Sequence, residues 1–558
     1  MPNDWVVRKL QFRVLYRVFF MRVIDLELLS MDADPTKLIG QFATIFASIS
    51  FFLTLPALLT GFRRLSIPGS WMFEHFLIET TMTIAGLIAV LSWDSAFPDQ
   101  RDVLVLAPLP VRTSTLFVSK ISALFAAPAL GTIAFNFFSG VAWPLSFISS
   151  SYGFLGALRS WPTYWMTIFL GGAFFVFTVL AIQGLAANLL PRQIFLRLSA
   201  FLQAGAMCLL LSVYFLEPSL RSPADFTALE NQRMLAWLPS YWFLGLFQQL
   251  NGSMHPALAP LARRAWIGLA ISFLGTVAAL LLSYFRMMPK VVEQPDILPR
   301  ARTVLWSPRF GSSLKSAVTL FSLRTLLRSR QHRMIVSFYL GIGLAIVVGY
   351  IKGPFGGLAS TAAGISLPFL LVSILMMILI LMSIRVVASI PISLRANWII
   401  RVTQVRPAHQ YQRAVRFSWM VLGVAPVLLV LAGSFAGSYP WQQVLGHLVT
   451  MLFLGIVLVE LCLYTFQKIP FTCSYLPGKA NIHFVFWACL MLFLRLLKEG
   501  AIFEGRMLHS FLGWILMVVL LAAAALAARW LTEARAGPVD EVLFEEEYPV
   551  EIISLKLN

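Results

Sequence analysis

The chain has 558 residues, of which 59% are hydrophobic and 12% charged, and its formal net charge is +18. Too few residues are polar or charged to form the surface of a soluble domain of ordinary size, so the soluble globular classes are excluded. In a chain this apolar, the basic balance is explained by attraction to an anionic inner leaflet and requires no nucleic acid. We therefore expect an all-α, polytopic membrane protein.

The pattern of basic and apolar residues in the first segment, residues 1–37, predicts an amphipathic helix that lies on the cytoplasmic membrane surface. A solvated basic tail is the alternative. Charges from Arg8 to Arg22 interrupt any apolar core, so we predict no cleaved signal peptide. The helical pattern places a basic residue at every fourth position beside an apolar one: Lys9, Arg13 and Arg17 beside Leu10, Val14 and Val18.

Twelve apolar segments are long enough to cross a hydrocarbon layer of about 30 Å, which takes roughly 20 residues. They form two six-span halves, 38–285 and 334–529, joined by a basic linker, 286–333, that carries an amphipathic stretch from Lys315 to Arg333. The eleventh span requires Arg495 to reach the surface. The predicted spans are 38–62, 73–93, 115–137, 164–188, 197–216, 265–285, 334–351, 365–384, 417–436, 443–466, 480–497 and 508–529.

The distribution of basic residues predicts the orientation, because cytoplasmic loops carry an excess of Lys and Arg. With the N-terminus inside, 32 of the 43 Lys and Arg residues lie on the cytoplasmic side. We therefore expect both termini in the cytoplasm and a multi-pass protein of the inner membrane. The acidic segment 530–558 is predicted to be a solvated cytoplasmic tail, or alternatively to pair with a basic surface.

The two halves share a plan that indicates an internal duplication, so that one chain forms a pseudo-dimer. Each half begins with a basic amphipathic stretch. In each, the loop after the second span opens with a proline, Pro98 or Pro391, and contains a second one, Pro110 or Pro407. Chance similarity between two hydrophobic halves is the alternative.

The loop after the second span is the most specific sequence in the chain. An acidic-basic cluster, Asp94–Asp102, is followed by the run Leu109, Pro110, Val111 and Arg112, and then by Lys120 in the third span. This pattern resembles the permease subunits of ATP-binding cassette exporters of the type-2 class. Their loop ends in Leu-Pro-Val and a basic residue, before an apolar stretch with a lysine.

The resemblance extends to the plan of six spans in each half, an amphipathic helix before the first, and a sizeable external segment between the fifth and sixth. Glu217–Arg264 is such a segment, and its aromatic part, 237–243, is expected at the outer interface or re-entering the membrane. The second half departs from the pattern, because its external segment between Arg495 and Arg506 is short.

The resemblance implies an ATP-driven exporter whose ATPase is a separate subunit docked on the cytoplasmic face. The chain has no phosphate-binding loop; its nearest approach, 477–480, lacks the first glycine and the hydroxyl residue. We therefore expect no enzymatic activity of its own. The two cytoplasmic loops would receive the ATPase's movement, through Asp99, Arg101, Asp102, Pro110 and Arg112 in the first and Arg395, Asn397, Trp398 and Arg401 in the second.

Ionisable residues inside predicted spans are functional candidates, because burying a charge in the bilayer is costly. Glu79 lies a turn or two inside the second span and Glu460 near the inner end of the tenth. Both also have a structural interpretation: Glu79 protonated or paired, and Glu460 reaching the interface. The four cysteines indicate no disulfide framework, and the seven histidines show no metal-ligand spacing among themselves. We predict no metal site and no cofactor.

Two other classes remain open. A secondary transporter of the major facilitator kind also has two six-span halves and a basic central loop. Against it, the loop after the second span lacks the Gly-x-x-x-Asp-x-x-Gly-Arg pattern. A membrane-bound lipid-modifying enzyme would need a cluster of Asp, Glu or His at a membrane face. The group Asp94, Asp99 and Asp102, with its arginines, is better interpreted as an ion-paired surface.

Overall fold

The chain folds as a helical protein, as the composition predicts. About 89% of the described residues are helical and none of them forms a strand. Helices satisfy every backbone polar group within one segment, which a hydrocarbon environment demands. The computed structural model describes residues 4–24, 35–59, 67–93, 109–146, 153–217, 220, 222–293, 308–352, 367–390, 408–435, 439–464, 466, 470–471 and 496–536.

The chain divides into two compact units, Met1–Arg302 and Thr303–Asn558, each of which is described by itself. The division falls within the basic stretch 286–333. The first unit contains α1 (Asp4–Ile24), α2 (Pro35–Leu59), α3 (Ile67–Leu91), α4 (Thr113–Phe135), α5 (Ser139–Ser146), α6 (Gly153–Leu189), α7 (Arg192–Leu216), α8 (Pro223–Thr227), α9 (Leu229–Leu235), α10 (Pro239–Asn251) and α11 (Ala259–Glu293).

The centre of the first unit is α6, which packs on α3 and α11. Small residues permit the close approach between helices that apolar bundles require. A Cβ added at Gly171 of α6 would lie 2.9 Å from Met82 Cγ, and one at Gly172 would lie 3.3 Å from Ala85 Cβ. The short helix α10 packs on α3, α6 and α11 together. The predicted external segment therefore folds back against the bundle.

The N-terminal helix α1 packs along α4. Leu15 and Phe19 are buried against Ala123, and the Lys120 ammonium lies 5.5 Å from the centre of the Phe19 ring. Gln11 Nε2 donates a hydrogen bond to the Pro110 carbonyl at 3.2 Å. The amphipathic segment thus lies against the Leu109–Arg112 segment and the third predicted span.

The second unit contains a further set of helices, in which residues 420–424 form a π-helical turn within α15. Such turns insert an extra residue into a helix and are frequent at functional sites. The helices are α12 (Ser313–Arg328), α13 (Arg330–Lys352), α14 (Leu367–Ala388), α15 (Ala408–Phe435), α16 (Trp441–Tyr464), α17 (496–508) and α18 (Phe511–Ala536).

Packing in the second unit repeats the plan of the first. The amphipathic helix α12 packs on α15, which is the third predicted span of its half, as α4 is of the first half. The Lys315 ammonium lies 5.2 Å from the centre of the Phe417 ring across this contact. The fourth predicted span, α16, packs on the second and the sixth, α14 and α18, as α6 packs on α3 and α11.

Eight described helices are long and apolar enough to cross a membrane, which indicates a multi-pass membrane protein. They correspond to the predicted second, third, fourth, sixth, eighth, ninth, tenth and twelfth spans. The first and fifth contain shorter apolar helices, Ala43–Leu55 and Phe201–Phe215. The seventh is helical as α13 but is not among the eight, and most of the predicted eleventh span lies outside the described residues.

Candidate functional site

Three ionisable side chains from distant parts of the first unit meet inside the helical bundle. His75 and Glu79 lie one turn apart on α3, and Glu217 follows the last residue of α7. Because α3 runs from Ile67 to Leu91, Glu79 is its central residue, twelve residues or about 18 Å along the axis from each end. It therefore lies at the middle of α3.

The three side chains are close enough to act together. His75 Nε2 lies 3.2 Å from Glu217 Oε1, and His75 Nδ1 lies 3.8 Å from Glu79 Oε2. One ligand atom from each residue can be chosen so that all three lie within 4.8 Å of one another. The side chains of His75, Glu79 and Glu217 are only 9%, 12% and 4% exposed. We call these three residues the His–Glu–Glu cluster.

The first turn of α10 holds the cluster from a second direction. The Ser240 hydroxyl donates a hydrogen bond to Glu217 Oε1. The Tyr241 ring stacks on the His75 imidazole, with 3.9 Å between ring centres and 15° between planes. Because the N-terminus of a helix carries the positive end of its dipole, this position favours the negative charge of Glu217.

The electrostatics of the surrounding groups follow from burial and from these contacts. Burial acts to raise the pKa of Glu217, but hydrogen bonds from His75, Glu79 and Ser240 outweigh it and hold the pKa below its usual value. Burial, and after it the neighbouring acidic groups of Glu217 and Glu79, raise the pKa of the Tyr241 phenol. The cluster therefore keeps one carboxylate charged next to an uncharged phenol.

One oxygen of the cluster lacks a partner among the described residues. Glu79 Oε1 is buried and accepts no hydrogen bond there. A buried acceptor without a partner costs about 1 to 3 kcal/mol, so such groups generally meet a proton, an ion or water. An imidazole between two carboxyl groups can hold a proton, or it can ligate a divalent cation when both groups are ionised.

A second polar chain also joins α3 to α10. Ser70 Oγ donates to Glu74 Oε1 at 2.5 Å, and Gln248 Nε2 donates to the other oxygen of Glu74. Ser253 Oγ in turn donates to Gln248 Oε1 at 2.5 Å. Both oxygens of Glu74 thus have partners, which identifies this chain as a structural link between α3 and α10.

In the second unit, two buried glutamates, Glu460 and Glu504, each contact a basic side chain. Glu460 contacts Arg416 of α15, where Arg416 Nη2 donates to Glu460 Oε2 at 3.1 Å. His447 Nδ1 lies 2.7 Å from Glu504 Oε1 of α17. Glu504 lies in a segment that the sequence treats as a short external connection. Its residues 496–508 are instead helical, and Glu504 and Ala501 are buried.

The structure brings together only some of the residues predicted from the sequence. Pro110 and Arg112 lie at the start of α4, where Pro110 accepts the hydrogen bond from α1. Glu79 lies in one cluster with His75 and Glu217, and Glu460 forms an ion pair with Arg416. The remaining predicted coupling residues lie outside the described residues: Asp99, Arg101, Asp102, Arg395, Asn397, Trp398 and Arg401.

The sequence missed His75, Glu217, His447 and Glu504. His75 and Glu79 are four residues apart, the spacing that places two side chains on one face of a helix, and this signal was present. A comparison of the histidines with one another alone does not show it. The contact between His75 and Glu217 joins positions 142 residues apart, which no local spacing can reveal.

Comparisons with known proteins identify no relative of the chain. No protein-family model matches it, and neither a curated protein nor a solved structure is similar to it at a significant level.

Proposed function

We propose that this chain is the membrane-spanning permease subunit of an ATP-driven exporter of the type-2 class, working with a separate ATPase at the inner membrane. The observation that carries the proposal is the contact of α1 with the Leu109–Arg112 segment. That segment bears the resemblance to this class of permease, and α1 contacts it through Gln11 and Pro110.

The packing gives this contact a mechanical role in the proposal. An ATPase in the cytoplasm can move a membrane helix only through an element held rigidly at the surface. The buried side chains of Leu15 and Phe19 fix α1 to α4, so a push on either the loop or α1 reaches the third span. The equivalent contact of α12 with α15 gives the second unit the same route.

The coupling loop is tested by a combined Asp99→Ala, Arg101→Ala and Asp102→Ala variant. We expect it to insert and fold but to bind the ATPase weakly or fail to stimulate ATP hydrolysis, because charges that face a partner contribute to association. The matched control is the pair Glu230→Ala and Arg233→Ala on α9, which are exposed charges on the opposite predicted side. Unchanged ATPase binding and stimulation in the triple variant would reject this loop as the coupling element.

A second candidate is a secondary transporter driven by an ion gradient, and the His–Glu–Glu cluster favours it. Ionisable residues inside membrane bundles commonly form proton or ion relays. The two candidates are separated in vesicles that contain this chain alone. Dissipation of an imposed proton gradient that is lost in Glu79→Gln, without any requirement for ATP, would favour the secondary transporter.

A further inference from the structure

We propose that the His–Glu–Glu cluster is a binding site for a divalent transition-metal ion of the zinc kind. This inference does not rest on the exporter assignment, because it concerns only what the three side chains can ligate. The ligands would be one imidazole nitrogen of His75 and one carboxylate oxygen each from Glu79 and Glu217.

The distances fit this chemistry. Zinc binds histidine nitrogen and carboxylate oxygen at about 2.0 to 2.2 Å in a tetrahedron, so two ligand atoms on one ion lie about 3.3 Å apart. His75 Nε2 and Glu217 Oε1 are separated by 3.2 Å. The candidate ligand atoms of all three residues lie within 4.8 Å of one another. Because Glu79 Oε2 lies 3.8 Å from the other ring nitrogen, Nδ1, the Glu79 carboxyl group would have to move toward Nε2 to complete the set.

The neighbouring residues orient the ligands as they do in built metal sites, where outer hydrogen bonds and packing fix the ligating groups. The Ser240 hydroxyl holds one oxygen of Glu217, and the Tyr241 ring fixes the plane of the imidazole. Glu79 Oε1 is buried without a hydrogen-bond partner among the described residues. A bound cation would supply the missing interaction.

The donor set selects the class of ion. Calcium takes six to eight oxygen ligands and magnesium an octahedral shell that retains several waters, so neither favours an imidazole. Imidazole with carboxylates suits zinc and its first-row neighbours. Three protein ligands leave the fourth tetrahedral position open, as in sites where a metal holds water or a substrate group.

The test is a Zn²⁺ titration of the purified, chelator-treated full chain, which must carry no polyhistidine tag. Isothermal titration should show one Zn²⁺ bound per chain, and Zn²⁺ should raise the melting temperature because a ligand stabilises the state that binds it. Removing a ligand should weaken Zn²⁺ binding at least about tenfold, because removing even a residue that only hydrogen-bonds to a ligand has an effect of this size. Mg²⁺ at equal concentration should leave the melting temperature unchanged.

Three conservative variants and one control make the result specific. Glu79→Gln, Glu217→Gln and His75→Gln should each lose the tight site and the Zn²⁺-dependent rise in melting temperature. His255→Gln should keep both, because His255 packs on Trp71 outside the cluster. If one ligand variant fails to fold, the other two carry the test. Wild-type affinity in Glu79→Gln and Glu217→Gln, or no stoichiometric binding by the wild type, would overturn the proposal.

Discussion

Arg416 of α15 and Glu460 of α16 form a buried ion pair that joins two predicted spans of the second unit. The Glu460 side chain is 1% exposed, and Arg416 Nη2 donates to Glu460 Oε2 at 3.1 Å. The guanidinium also lies 4.0 Å from the partly exposed Glu533 of α18. The guanidinium of Arg416 therefore holds the buried Glu460 within the helical bundle.

Removing one member of this pair should destabilise the protein more than removing both. Glu460→Ala leaves the Arg416 charge buried without its main partner, which costs about 3 to 5 kcal/mol. The combined variant Glu460→Leu and Arg416→Met removes both charges and should recover most of the loss. Thermal unfolding in detergent measures both effects. A single variant as stable as the wild type would show that the pair is dispensable.

The contact of α1 with α4 predicts a difference between two neighbouring apolar residues. Phe19 is buried against α4, whereas Val18 is exposed. Phe19→Ala should cost about 3 to 5 kcal/mol of docking energy, because a large buried side chain is lost, and Val18→Ala should cost little. Hydrogen exchange in residues 4–24 should rise sharply in the first variant only. Equal exchange in both would mean that α1 is not held by this contact.

Helix packing in the second unit predicts opposite outcomes at two glycines. A Cβ at Gly455 would lie 2.8 Å from Val424 Cγ1, whereas one at Gly433 would meet no described atom within 4 Å. Since valine is stiff at χ1, Gly455→Ala should cost about 1 to 3 kcal/mol by overpacking. Gly433→Ala should leave stability unchanged or slightly raised. The melting temperatures of the two variants and the wild type measure these effects. A Gly455→Ala variant as stable as the wild type would contradict the close approach of α15 and α16.

The predicted orientation is tested with single cysteines in a cysteine-free variant. Leu229 and Ser313 are both exposed and lie on opposite predicted sides. Leu229→Cys should react with an impermeant thiol reagent added to intact cells, and Ser313→Cys should react only after the membrane is opened. The reverse labelling pattern would overturn the orientation.

The sequence predicted the helical elements well where a local pattern was sufficient. A span needs only a continuous apolar run, so eight of the predicted segments appear as long apolar helices among the described residues. Helix ends were less accurate: α3 begins at Ile67 instead of residue 73, and the polar Ser70 lies within the helix, where its hydroxyl bonds to Glu74.

The candidate site was only partly predictable. Glu79 was identified because a charge in an apolar run is visible from sequence alone. Its partner Glu217 belongs to a segment that hydropathy assigns to the exterior, and α10 brings Ser240 and Tyr241 back against the bundle. These contacts depend on tertiary packing between segments far apart in sequence, so periodicity could not reveal them.

The most direct test of the exporter proposal is ATP hydrolysis that depends on this chain. The tagged protein is purified from its native membranes in mild detergent, and ATPase activity is measured across the elution profile, with the membranes of a strain lacking the chain as control. We expect an ATPase subunit of fixed stoichiometry to elute with the chain, and its activity to change when the Asp99, Arg101 and Asp102 side chains are removed together. A chain that elutes alone, with no associated ATP hydrolysis, would contradict the proposal.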